Sequence, residues 1–119
     1  MWRRCSATDI KVWLEQAGEP VAETCFPPGT PGKDVPNPPY ICFLDGIDRG
    51  GVDMRNLLTK HNLTVERYSD TSEYNLKLET LFDAAGLEFT REQMWLPDPE
   101  DMYETIYTIR TPIFERTDI

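Results

Sequence analysis

The chain has 119 residues, 12 Lys+Arg against 21 Asp+Glu, and a net charge of −9. That length suits one domain with its own core, and 39% hydrophobic residues with 11% aromatics argue against a disordered chain. No apolar run approaches the roughly 20 residues that span a bilayer. The basic start Met1-Trp2-Arg3-Arg4 is not followed by an apolar signal segment, so a cytosolic setting is the default. Nucleic-acid binders carry a basic footprint, which this acidic chain lacks.

Ile10, Trp13, Leu14 and Ala17 fall at i, i+3, i+4 and i+7 and predict a helix over 6–17. Ser6 or Thr8 can cap it. Gly18 stands at the C′ position and Pro20 prevents continuation. Residues 19–39 then hold seven of the ten prolines and show no hydrophobic period. They predict a long irregular loop, either functional or lying ordered on the domain.

Tyr40–Asp45 reads as a central strand, apolar on both faces. Gly46, Gly50 and Gly51 predict a turn region, and 52–58 fits a strand or a helical turn. Leu63–Tyr68 alternates as a half-buried strand. Tyr74, Leu78, Leu81, Phe82 and Ala85 predict a second helix over 72–85. Asp70 or Ser72 is its cap and Gly86 its stop. Strands over 87–94 and 102–110 flank the acidic turn at Pro97–Asp101 and predict a hairpin. Pro112 ends the last strand, and 113–119 reads as a loose tail. The fold class is α+β in one domain. A mostly antiparallel sheet of four or five strands is covered by two helices, in the order α-β-(β)-β-α-β-β.

Little in the sequence assembles into chemistry. Cys5, Cys25 and Cys42 are widely spaced, form no CxxC pair, and read as reduced thiols. Asp45, Asp48 and Asp53 miss the alternating spacing of a calcium loop and lack a closing glutamate, so the segment reads as a hairpin connection. Gly46, Gly50 and Gly51 lack the Lys-Ser/Thr ending of a phosphate loop. His61 has no Ser or Cys partner at motif spacing and reads as a surface histidine. No catalytic, metal or cofactor residue is assigned. Trp13 belongs to the helix stripe. Trp95, beside Leu96 and Pro97, fits a core position or a protein interface equally well.

Several elements taken in order resemble the tail-completion or tail-terminator proteins of long-tailed bacteriophages and prophages. They are the opening helix, the Pro-rich loop, the strand Pro39–Leu44, Val52-Asp53, and Val65–Asp70, which is similar to a "V-x-L-Y-T-D" element. Glu73…Leu78-Glu79…Leu81-Phe82, Gly86–Phe89 and Glu104–Ile109 continue the series, the last like a closing "Y-x-x-I-Y-x-I" strand. The resemblance covers about residues 8–110. The cysteines and the length of the Pro-rich loop depart from it.

The resemblance implies a non-enzymatic subunit of a ring, typically a hexamer, at the head-proximal end of the virion tail. Its partners are other copies of itself, the tail tube protein and the head–tail connector. DNA passes through the lumen without specific binding, and no membrane is involved. The interface candidates are Phe26, Pro28 and Lys33 in the Pro-rich loop, Asp48 and Arg49 in the Asp/Gly loop, and Trp95 and Leu96 at the hairpin tip. Competing readings are a head-completion or connector adaptor, an acidic DNA mimic, and a small hydrolase built around His61.

Overall fold

The computed structural model describes residues 7–26, 35–50 and 58–116. Helix α1 spans Ala7–Glu15. Its predicted stripe faces inward: Ile10 and Leu14 are sealed, Ala17 is buried, and Trp13 packs at the margin. After Glu15 the chain tightens through i→i−3 bonds, ending with the Gly18 amide on the Glu15 carbonyl. Gly18 adopts φ +84°, the left-handed stop expected of it. Thr8 lies inside the helix and is not its cap, and Ser6 lies outside the described residues.

The Pro-rich segment is not irregular throughout. Val21–Glu23 forms strand β1, which runs parallel to β2 (Tyr40–Gly50) with Val21 opposite Ile41. The sheet is therefore mixed: four of its five pairings are antiparallel, as expected, and β1–β2 is parallel. Three residues are too few for periodicity to register. The pairing is set by the ladder, including the Ile41 amide on the Pro20 carbonyl and the Thr24 amide on the Phe43 carbonyl.

β2 also runs past the expected stop at Asp45. It pairs antiparallel with β3 (Leu58–Ser69) on every rung from Tyr40–Tyr68 to Gly50–Leu58. Gly46 is a strand residue opposite Asn62, not a turn. Within β3 the predicted alternation holds. Leu63, Val65 and Arg67 point into the core, while Thr64, Glu66 and Tyr68 face the other way, half-buried.

Helix α2 spans Leu76–Ala84 and starts later than 72. Its cap is Asn75, not Asp70 or Ser72. The Asn75 Oδ1 accepts from the Leu78 amide, and its Nδ2 donates to the Ala17 carbonyl, tying the start of α2 to the end of α1. At the other end the Leu87 amide reaches the Phe82 carbonyl and the Gly86 amide reaches Asp83, with Gly86 at φ +70°.

β4 (Phe89–Leu96) and β5 (Met102–Ile109) form the expected hairpin, with Leu96 opposite Met102. Residues 113–116 are not a loose tail, and 117–119 lie outside the described residues. Ile113–Arg116 is a sixth strand, β6, paired with β3 through His61–Ile113, and Ile113 is sealed in the core. The order across the sheet is β1-β2-β3-β5-β4, with β6 beside β3 beyond the end of β5.

Both helices lie on one face of this sheet. Ile10, Leu14, Leu78 and Phe82 meet Ile41, Phe43, Leu63, Val65, Tyr107 and Ile109 in one cluster. Two polar networks clamp that face. Arg67 holds Glu19 through Nε and Nη2, both at 2.9 Å, and donates from Nη1 to the Glu73 carbonyl. Tyr107 donates to Glu79 at 2.6 Å, Arg91 donates to the same carboxylate at 2.8 Å, and the Arg91 guanidinium lies 3.6 Å over the Tyr74 ring.

Candidate functional site

Strand alternation puts Ile41, Phe43, Val65 and Tyr107 under the helices, so their neighbours occupy the opposite face. Its rows read Tyr40-Tyr68-Glu104-Met94, Cys42-Glu66-Ile106-Glu92 and Leu44-Thr64-Thr108-Thr90 across β2, β3, β5 and β4. No helix among the described residues covers this face. Leu44 and Met94 each remain 42% exposed on it. Phe114, opposite Lys60, adds a third exposed apolar group farther along.

An aromatic and acidic cluster sits at one end. Phe26 meets Tyr40 edge-on at 5.5 Å, and Tyr40 stacks on Tyr68 at 5.1 Å. Tyr68 donates to Glu104 at 2.9 Å. Burial pushes the Glu66 carboxyl up to about 7, with the hydrogen bond to Glu104 and the charge of Glu104 adding to it. A partly desolvated carboxyl beside a second carboxylate keeps its proton to a higher pH than an exposed one. Burial also pushes the Cys42 thiol up to about 11, which disfavours the thiolate.

At the other end β2 and β3 run on as an arm. Past Asp45 and Leu63 the one further strand beside them among the described residues is β6. The five further residues of β2 add about 17 Å, in keeping with extents of 52 × 29 × 23 Å. Ile47 on this arm is 54% exposed.

The interface candidates divide between the two ends. Phe26 borders the aromatic cluster. Trp95 and Leu96 lie on the edge strand β4, with Trp95 47% exposed and packed edge-on against Tyr103 at 4.9 Å. Asp48 is on the arm, exposed, and accepts from Asn62 Nδ2 at 2.8 Å. Arg49 occupies the next rung, opposite Thr59. The structure does not bring the arm pair together with Trp95 and Leu96. Pro28 and Lys33 lie outside the described residues, as do Val52 and Asp53.

His61 is not a surface residue. Its Nδ1 lies 2.9 Å from both carboxylate oxygens of Asp45, and the two side chains are 1% and 4% exposed. Thr59, two residues back on the same face, is also buried, and its Oγ1 has no hydrogen-bond partner among the described residues. A His–carboxylate pair orients an imidazole for proton transfer when substrate can reach it. Here it is sealed, and it cross-links β2 to β3 at the base of the arm. Sixteen residues separate the partners, so no local motif announces the pair. Glu66 and Glu104 escape a sequence reading for the same reason.

Cys25 and Cys42 are free thiols, exposed and buried respectively. Among the described residues no group of His, Cys, Asp or Glu is arranged to hold a metal ion, and no helix is long and apolar enough to cross a membrane. No protein-family model matches the chain, and no curated protein sequence matches it.

Proposed function

We propose that this protein is a structural subunit of a bacteriophage tail, a tail-terminator protein that forms a ring at the head-proximal end of the tube. The observation that supports this best is the sheet face left uncovered among the described residues, with exposed Leu44 and Met94, on a protomer that also extends a β2–β3 arm. Two unlike surfaces on one subunit are what a head-to-tail ring requires. The sequence resemblance adds the class of ring. On this reading the partners are further copies of the chain, the tail tube protein and the head–tail connector. The net charge of −9 suits a lumen that lets DNA slide without sticking.

The experiment is tube capping. Added to polymerising tail tube protein of the same phage, the protein shortens the tubes, and negative-stain images show particles of about six protomers with a central hole. Tubes of unchanged length, with no ring in any preparation, overturn the reading. Exchange of lumen carboxylates for lysine slows DNA ejection, and an unchanged ejection rate refutes the role assigned to the charge.

A further inference from the structure

Among the described residues the sheet has two long open edges: the outer side of β2 from Leu44 to Gly50, which β1 leaves uncovered, and β4. β4 spans eight residues, whereas β1 has three and β6 has four. Its register with β5 is unbroken from Phe89 to Leu96, so no bulge twists it away, and it contains no proline or lysine. On its outer side no backbone group of β4 bonds to another described element. Such an edge is a template for another strand. Its side chains indicate which strand.

Two copies of β4 can pair antiparallel about a two-fold axis only in registers that set residues of equal parity opposite each other, since opposed side chains share a face. Centring on Glu92 sets that carboxylate against its own copy, and like charges directly opposite are destabilising. Centring on Met94 leaves only residues 92–96 in register. Centring on Gln93 keeps residues 90–96 paired. It sets Gln93 against Gln93 of the second copy, Glu92 against Met94, and Arg91 against Trp95. The last pair is complementary. Arg91 is already held by Glu79 over Tyr74, with its side chain one-third exposed, and Trp95 is half-exposed. Tryptophan is the best cation acceptor among the aromatics.

We infer that the free protein pairs with a second copy of itself through β4, antiparallel and centred on Gln93, with each Arg91 against Trp95 of the other copy. The two sheets become one continuous sheet. The β2–β3 arm stays clear of the seam, because it leaves the sheet from its other side and other end. The inference concerns the unassembled subunit and goes beyond the ring reading. A long open edge on a subunit waiting for its template is an aggregation hazard, and the two-fold pairing closes it.

Register-specific cross-linking tests this. In full-length protein with Cys5 and Cys25 changed to serine, Gln93→Cys forms a disulfide-linked dimer on mild oxidation, since directly opposed Cβ atoms stand about 4.5–5.5 Å apart. Glu92→Cys and Met94→Cys each fail to link alone but link when mixed. That mixed pair uses two exposed positions and leaves the Gln93 bonds to Ser72 and Thr105 intact. In sedimentation equilibrium the unmodified protein reaches twice 13.8 kDa. Trp95→Lys weakens that dimer at least tenfold, while Trp95→Glu retains it by pairing with Arg91. A monomer at all concentrations overturns the inference, as does self-linking of E92C or M94C, or equal loss of the dimer in both Trp95 variants. A ring of six in which Q93C does not cross-link overturns the two-fold pairing and leaves the ring reading standing.

Discussion

Glu19→Gln probes the buried ion pair with Arg67. The side chains are 10% and 8% exposed, so little water is available to replace a lost partner. Arg67 meets Glu19 through two nitrogens and the Glu73 carbonyl through a third. Truncating one member of such a pair costs about 3–5 kcal/mol, chiefly because the other charge is left buried. Glutamine still offers one carbonyl oxygen, and the Glu73 bond remains, so the cost falls to the bottom of that range or just under it, about 2–3 kcal/mol. At this chain length that is a fall in Tm of about 10 °C. Urea unfolding followed by tryptophan fluorescence gives the free energy directly. The loss persists in 1 M NaCl, because salt screens exposed pairs far more than buried ones. Glu19→Leu combined with Arg67→Met costs less than the two single changes added together. A Glu19→Gln variant within 0.5 kcal/mol of the parent would refute the assignment of this pair as the clamp between the end of α1 and β3.

Other predictions follow from single contacts. The Glu66 carboxyl is raised to about 7 from an ordinary 4.5, so the folded state binds more protons than the unfolded one between those values. Its contribution is fully present below about pH 4.5 and is lost as pH rises through 7. With solvent screening, the stability difference between the parent and Glu66→Gln changes by roughly 1 kcal/mol across that window; parallel pH profiles would count against the Glu66–Glu104 contact. Asn75→Ala removes the α2 cap and the bond to Ala17 together, and lowers stability by about 1–2 kcal/mol in denaturant titration. Cys25 reacts promptly with a thiol reagent in the native protein, while Cys42, buried and with its thiol raised to about 11, reacts only at the rate of opening; equal rates would contradict its burial. Phe82→Ala empties the centre of the aromatic group formed with Trp13, Phe89 and Tyr107, and costs about 3–5 kcal/mol by the same titration.

Elements with a period of their own are legible in the sequence. The stripe of α1, the alternation of Leu63–Tyr68, the stops at Gly18 and Gly86 and the Pro97–Asp101 hairpin all follow from side-chain spacing and backbone freedom. The misses share one cause. β1 is a strand because β2 lies beside it, and β6 because the first rungs of β3 lie beside it. Neither segment is long enough to alternate visibly. Gly46 and Gly50 suggest a turn, yet eleven consecutive rungs with β3 outweigh the weak strand preference of two glycines. The cap of α2 is misplaced for a related reason. Asn75 is selected by its bond to Ala17, fifty-eight residues away, which no local cap scale contains.

Trp95 and Leu96 are candidates from residue type and their place beside the Pro97 turn, and the fold gives them a setting by placing them on an open edge strand. Glu66 and Glu104 are ordinary glutamates until β3 and β5 pair. His61 and Asp45 likewise become a pair only once β2 and β3 are in register. Antiparallel pairing converts separations of 16 and 38 residues into neighbouring rungs, so each cluster is a property of register. A one-residue slip between β2 and β3 would turn Asp45 away from His61 and carry Ile41 and Phe43 out of the core. The core and the buried His–Asp pair therefore select the same register, and that register sets Tyr40 beside Tyr68 on the open face, where the β3–β5 register adds Glu104.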